Sequence, residues 1–302
     1  MRRSPKRYGG LWLAILVTTW SLGMVVPASG NSSDPPPLIM LLTDFGSTGY
    51  MLGSLKGAIY KHFPGARVDT ITNDIRKFDV DEAAQTLVLS TADYPPGTIF
   101  VVVVDPGLGR PRTPIAMETE NGHIYLGPDN GVLTQVAVRY RVKRVHRITN
   151  RAVVLADPAE STFMSRDVYG PAAAALAQGT VSVEGLGPEH PSLYLLTAPP
   201  AVAREGKIYG TVRLVDGFGN VQTNIPAADL EKLGVTMGDR LEAAVAGKRF
   251  QVKWVKTYGD VPPGSCLAKR GSHDEMVLAV NQGSLAAEMN ITKGDVIVLG
   301  KP

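Results

Sequence analysis

The chain has 302 residues, 44% of them hydrophobic and 20% charged, enough for one large or two smaller cores. Its formal charge of +3 is concentrated at one end: Arg2, Arg3, Lys6 and Arg7 lie in the first thirty residues, and removing those four from 31 Lys and Arg leaves 27 against 28 Asp and Glu. A remainder this balanced excludes the basic footprint of a nucleic-acid binder, and the single cysteine, Cys266, excludes an internal disulfide and a cysteine-built metal site.

The basic start precedes an apolar run over residues 11–26 and then Pro27-Ala28-Ser29-Gly30, the charged, apolar and small-residue order of a signal peptide. Cleavage near Gly30 predicts export, to a periplasm or to the medium. Left uncleaved, residues 11–26 would instead be a short membrane anchor. Residues 31–37, NSSDPPP, read as a linker.

From residue 38 the pattern alternates. The apolar run 38–42 ends in Thr43-Asp44-Phe45-Gly46, and apolar positions 51, 52, 55, 58, 59 and 63 then keep a helical period until Pro64. A strand over 67–71 leads to Thr72-Asn73-Asp74, and Asp79 with Glu82 three residues on has the spacing of a capping box opening a helix through Leu87 and Val88. Residues 98–104, with four valines in a row, predict a strand buried on both faces, which Asp105-Pro106-Gly107 breaks. This order predicts an N-terminal, mainly parallel α/β domain over 38–195 with Asp44, Asn73 and Asp105 on loops at one sheet edge, where open sheets of this kind bind ligands. Asp105 and Arg112 are then either part of a site or a loop-capping acid with a surface partner.

Two short strands, 115–118 and 123–126, precede Gly127-Pro128-Asp129-Asn130-Gly131, which reads as a structural turn; a helix over 132–140, a strand over 144–148 and an alanine-rich helix over 168–177 follow. Residues 188–200 hold four prolines and mark a domain junction. Beyond it, strand-like segments at 208–215, 240–246, 250–255, 276–280 and 296–299 predict a smaller all-β barrel or sandwich over 205–302, with polar loops at 216–220 and 271–274.

No dinucleotide fingerprint, P-loop or nucleophile elbow occurs, and no histidine pair has metal-ligand spacing. Acids, amides and one arginine remain, a set suited to recognising a polar small molecule or activating water. Leu42-Thr43-Asp44-Phe45-Gly46, residues 51–57 (MLGSLKG), Val104-Asp105-Pro106-Gly107-Leu108-Gly109, Gly127-Pro128-Asp129-Asn130-Gly131, Ser161-Thr162-Phe163, Gly217-Phe218-Gly219-Asn220-Val221 and Gly271-Ser272-His273, in this order, resemble the S-adenosyl-L-methionine (SAM) hydroxide adenosyltransferase family, the SAM hydrolases related to fluorinase and chlorinase.

The resemblance implies hydrolysis of SAM to adenosine and L-methionine, with SAM as substrate and no further cofactor or metal. It also implies a homotrimer binding SAM between the N-terminal domain of one subunit and the barrel of the next. Carried over by position, it makes Asp44 the carboxylate for the ribose hydroxyls and Phe78 an apolar wall. Asp216 becomes the partner of the methionine ammonium, Asn220 an adenine reader and Ser272 a contact to the methionine end. Asp105 and Arg112 match two of the three groups that hold the attacking water. Where the family has Thr-Phe-His-Gly-Arg-Asp, this chain has Thr162-Phe163-Met164-Ser165-Arg166-Asp167. Met164 cannot replace the histidine's proton chemistry; Ser165 is the nearest polar substitute. The departure leaves two other readings: a SAM- or adenosine-binding protein whose catalysis has lapsed, and a SAM-dependent halogenase. An ionised Asp105 disfavours the second by repelling a halide.

Overall fold

The computed structural model describes residues 35–107 and 112–302; the segment read as a signal peptide, residues 31–34 of the linker and residues 108–111 of the loop after Asp105 lie outside the described residues. Among the described residues no helix is long and apolar enough to cross a membrane.

The first half builds β1 (Leu38–Thr43), α1 (Met51–His62), β2 (Arg67–Thr72), α2 (Val80–Thr91), β3 (Ile99–Val103), β4 (Pro114–Thr119), β5 (Ile124–Pro128), α3 (Thr134–Tyr140), β6 (Val142–Arg147) and α4 (Gly170–Gln178). The sheet order is β2-β1-β3-β5-β4-β6. β2, β1, β3 and β5 run parallel, while β4 pairs antiparallel with both β5 and β6. Central β3 is buried throughout: Ile99, Val101 and Val103 join Leu55 and Ile59 of α1 and the alanines of α4, whereas Phe100 and Val102, with Val104 just beyond, join Leu87 of α2 and Val136 of α3. A strand with two apolar faces thus organises the two-sided sandwich, and its end delivers Asp105 to the same edge as Asp44.

Residues 188–200, the expected junction, carry little regular structure but are pinned to the sheet domain. The Tyr194 N–H donates to Asp129 Oδ1 (2.8 Å), His190 Nε2 lies 2.9 Å from Asp129 Oδ2, and the Leu196 N–H donates to Thr134 Oγ1 (2.9 Å). The Pro-Asp-Asn-Gly turn is therefore an anchor for this strap, and its fully buried Asn130 donates to the Val104 carbonyl (3.0 Å), fixing the chain one residue before Asp105.

The second half holds β7 (Val202–Arg204), β8 (Lys207–Val215), β9 (Val221–Pro226), α5 (Ala227–Lys232), β10 (Arg240–Val245), β11 (Lys248–Trp254), β12 (Cys266–Arg270), β13 (Glu275–Val280), α6 (Leu285–Met289) and β14 (Val296–Gly300). β14 pairs with both β10 and β8, closing seven strands into a barrel, with β7 paired to the first residues of β8. Alternate residues such as Ile208, Leu241, Ala243, Val252, Trp254, Leu278, Ile297 and Leu299 fill its interior.

One buried group in the sheet domain predicts a pH response. His123 is 3% exposed, packs edge-on to Phe100 (5.4 Å between ring centroids), and its Nδ1 finds no partner among the described residues; burial pushes its pKa below the ordinary value. The unfolded chain then binds this proton more readily than the folded one. The histidine's stability contribution is complete above the ordinary pKa of about 6.5 and is lost below it, by at most about 1.4 kcal/mol per pH unit. Urea melts at pH 7 and pH 5 should show a smaller acid loss in His123→Leu than in the parent; equal losses would place the acid sensitivity elsewhere.

Candidate functional site

Asp44 follows β1 directly, and the ends of β1 and β2 are locked together beside it. Thr43 Oγ1 donates to Asn73 Oδ1 (3.1 Å) and the Gly46 N–H to the Asn73 carbonyl (2.7 Å). Asp44 Oδ2 accepts the Phe78 N–H at 2.9 Å, and the Lys77 ammonium donates to the Asp44 backbone carbonyl. Phe78 has φ +66°, a left-handed conformation costing a bulky residue about 1–3 kcal/mol, and the residue is 65% exposed. The Asp44 carboxylate holds that geometry with one oxygen.

Asp105 combines both roles open from the sequence. Its Oδ1 accepts the Gly107 N–H at 3.1 Å across a turn that needs the glycine's φ of +71°. Its Oδ2 accepts Arg112 Nε at 3.0 Å. The Asp105 side chain is 16% exposed and that of Arg112 48%, so the pair opens to solvent. It is thus a loop-capping acid that also presents a carboxylate–guanidinium pair to a cleft.

The third wall is 161–165. Here the expected helix start at 168 gives way to a π-turn over Ser165–Tyr169 that runs into α4. Pro171 has no N–H for the Asp167 carbonyl, which accepts from Leu155 N–H instead (2.8 Å), while the Gly170 N–H reaches back to the Ser165 carbonyl. The Asp167 carboxyl accepts from Arg166 and from Ser161 Oγ (2.9 Å), and the Arg166 guanidinium, followed by Ser161, holds it below the usual carboxylate range against the opposing effect of burial. This network sets the turn that carries Met164 and Ser165. Beneath them, the fully buried Tyr169 directs its hydroxyl at Met164 Sδ (3.9 Å); burial, and then the negative charge of Asp105, push its pKa well above the ordinary value.

Asp44, Phe78, Asp105, Arg112, Met164 and Ser165 all line one cleft of about 300 Å³, together with Lys77 and Phe163. A second cavity of about 580 Å³ lies on the barrel and is lined by Asp216, Phe218, Asn220, Tyr258 and residues 280–283. Asp216 Oδ1 accepts the Phe218 and Asn220 N–H groups (both 2.9 Å), and its Oδ2 accepts Asn220 Nδ2 (2.8 Å), so acid and amide brace each other. The expected binding residues therefore divide between two cavities, and Ser272, on the β12–β13 loop, lines neither. Lys77 in the cleft, Tyr169 beneath Met164 and Tyr258 in the barrel cavity are not marked by the sequence: Lys77 is an ordinary loop cation, and neither tyrosine belongs to a motif. For Lys77 the usable signal was its place beside Phe78.

The chain matches the models of the SAM hydroxide adenosyltransferase N-terminal domain over residues 39–187 and C-terminal domain over residues 210–298. It is 32% identical to an (R)-S-adenosyl-L-methionine hydrolase of Salinispora tropica over 263 residues, covering 86% of this chain and 97% of that one. It is 26% identical to a fluorinase of Actinoplanes sp. over 303 residues, covering 91% and 100%. The solved structure of an uncharacterized conserved protein from Thermotoga maritima superposes with a TM-score of 0.82 at 36% identity, covering 87% of this chain and all of that one. A mainly parallel sheet with Asp44 and Asp105 at its strand ends, followed by a seven-stranded barrel, is thus the architecture of a member of the SAM hydroxide adenosyltransferase family, and the chain belongs to it.

Proposed function

We propose that the protein hydrolyses SAM to adenosine and L-methionine. The observation that carries this reading is the Asp105–Arg112 pair, 3.0 Å apart and opening into the cleft that also contains Asp44. Asp44, with one carboxylate oxygen committed to Phe78, offers the other to the ribose diol. A water oriented by Asp105 attacks the 5′ carbon, the C5′–S bond breaks with its electron pair passing to sulfur, methionine departs as a neutral thioether, and the new oxonium loses its proton to solvent or to Asp105. Because the sulfonium is already a good leaving group, placing the water supplies much of what the protein must contribute. Relatives named as SAM hydrolases support this reading.

The two separate cavities support a homotrimer in which the cleft of one subunit meets the barrel of the next, bringing Asp216, Asn220 and Ser272 to the same ligand. Exposed aromatics rim both halves: Tyr50 and Phe78 at the cleft, Phe218 at the barrel. Sedimentation at micromolar protein should give three times the chain mass; a monomer that turns SAM over would remove the shared site. The basic and apolar start of the chain supports export, tested by cell fractionation.

The assay follows adenosine from SAM by chromatography, with and without added halide. Adenosine independent of halide supports hydrolysis, and a halogenated nucleoside would replace this reading with a halogenase. Met164 favours a second reading, a nucleoside-binding protein without turnover, which ligand binding with no product would establish. Met164→His restores an imidazole beside the Tyr169 hydroxyl and should raise turnover several-fold. An unchanged or lower rate would show a site rebuilt around the thioether.

A further inference from the structure

We propose that Lys293 and Arg213 of the barrel are positioning residues for the cleft, holding the Phe78 loop in its strained, ligand-facing form through Asp79 and Asp81. The role assigned to Phe78 rests on the SAM reading above; the clamp itself rests on geometry alone.

Phe78 is followed at once by Asp79, the N-cap of α2, whose Oδ1 accepts the Glu82 N–H at 2.9 Å. The expected capping box is only half formed, because Glu82 reaches back past Asp79 to the Arg76 N–H (3.3 Å). The same Asp79 oxygen receives Lys293 Nζ at 2.5 Å, and Lys293 also lies 3.0 Å from Asp81 Oδ2. Arg213 Nη2 donates to Asp81 Oδ1 at 2.5 Å. Both cationic side chains are only 12% exposed. Burial works against the charged form of Asp79, yet the lysine, with the helix N–H, carries its pKa below the ordinary value.

The barrel is built to present these two cations. Val212 and Leu214 of β8 pair with β9 through a bulge that leaves Arg213 out of register, the device by which a strand re-aims one side chain. The neighbouring turn is tied to the same point: the Gly294 N–H donates to the Val212 carbonyl and the Val212 N–H to the Asp295 carbonyl, both at 2.9 Å, placing Lys293 beside Arg213. On the other side, Arg76 and Asp79 are tied to each other and to Glu82, and Phe78 between them has few contacts of its own. Phe78 is held by Asp44 through its N–H and by the Val80 N–H through its carbonyl, and the residue is exposed. A backbone in the left-handed region persists only where its surroundings over-determine it. The ion pairs at Asp79 and Asp81 add to the local contacts of Asp44 and Arg76 a constraint from the other domain, so the barrel shapes the cleft of its own subunit.

Hydrogen exchange read by mass spectrometry on the unliganded full chain tests this. Lys293→Met should speed exchange across residues 75–79 about tenfold, with β1 and β3 unchanged, and Lys293→Arg should restore protection. Asp79→Asn keeps a good N-cap but loses the charge, so it should match Lys293→Met. With SAM, Lys293→Met should raise KM several-fold at unchanged kcat. Native protection over 75–79 in Lys293→Met, or exchange raised equally throughout the sheet, would overturn the clamp. Faster exchange at 75–79 in a protein whose parent binds no nucleoside would uphold the clamp and overturn the SAM reading instead.

Discussion

Asp105→Asn is expected to lower the turnover of SAM by about a hundredfold or more while leaving KM near its parent value. The amide is almost isosteric, and its oxygen can still accept the Gly107 N–H that closes the turn. What disappears is the negative charge, and with it the pairing that fixes Arg112 at 3.0 Å and the acceptor that orients the attacking water. The fold should bear this easily, since the guanidinium left behind is half exposed and solvent-screened. A fall in kcat with stability and KM intact places Asp105 at the reacting water. Unchanged kcat would return it to the lesser role of capping its own loop.

Asp44→Ala should act on binding instead, weakening nucleoside affinity by the roughly 1.5–3 kcal/mol of hydrogen bonds to a charged group, or about tenfold to a hundredfold. Two losses combine in this variant: the carboxylate offered to the ribose, and the acceptor for the Phe78 N–H that holds a left-handed backbone in place. Asp44→Asn separates them. It retains an acceptor for Phe78 but one oxygen fewer for a diol, so its affinity should fall between parent and alanine variant. Calorimetry with adenosine suffices, because the contact does not involve the sulfonium. Equal affinity in all three proteins would remove Asp44 from ribose recognition.

The strands and helices that could be read in advance were those with a single dominant period. The four valines of 101–104 are buried on both faces, and α2 begins where Asp79 and Glu82 place it. β9 and β12 carry a weaker apolar signal: Thr223 stands between Val221 and Ile225 on the buried face of one, and the other buries only Leu267 and Ala268. The π-turn at Ser165 was hidden for another reason. It arises from the N–H missing at Pro171, six residues on, which shifts the register of the preceding turn rather than ending a helix.

For the site, the family resemblance, carried over position by position, singles out Asp44, Phe78, Asp105, Arg112 and Ser165, and the fold gathers these five in one cleft. Motif order carries no information on which loops of one chain meet, so the separation of Asp216 and Asn220 into a second cavity had to be seen in three dimensions. Long-range pairs such as Asp79 with Lys293, joined across 214 positions, are invisible for the same reason.

The central claim is that water attacks the 5′ carbon of SAM in this cleft, and turnover in ¹⁸O-labelled water tests it most directly. Mass spectrometry of the products should show one ¹⁸O in adenosine and none in methionine, with the signal greatly reduced in Asp105→Asn. SAM bound but unchanged, or adenosine formed without the label, would contradict it.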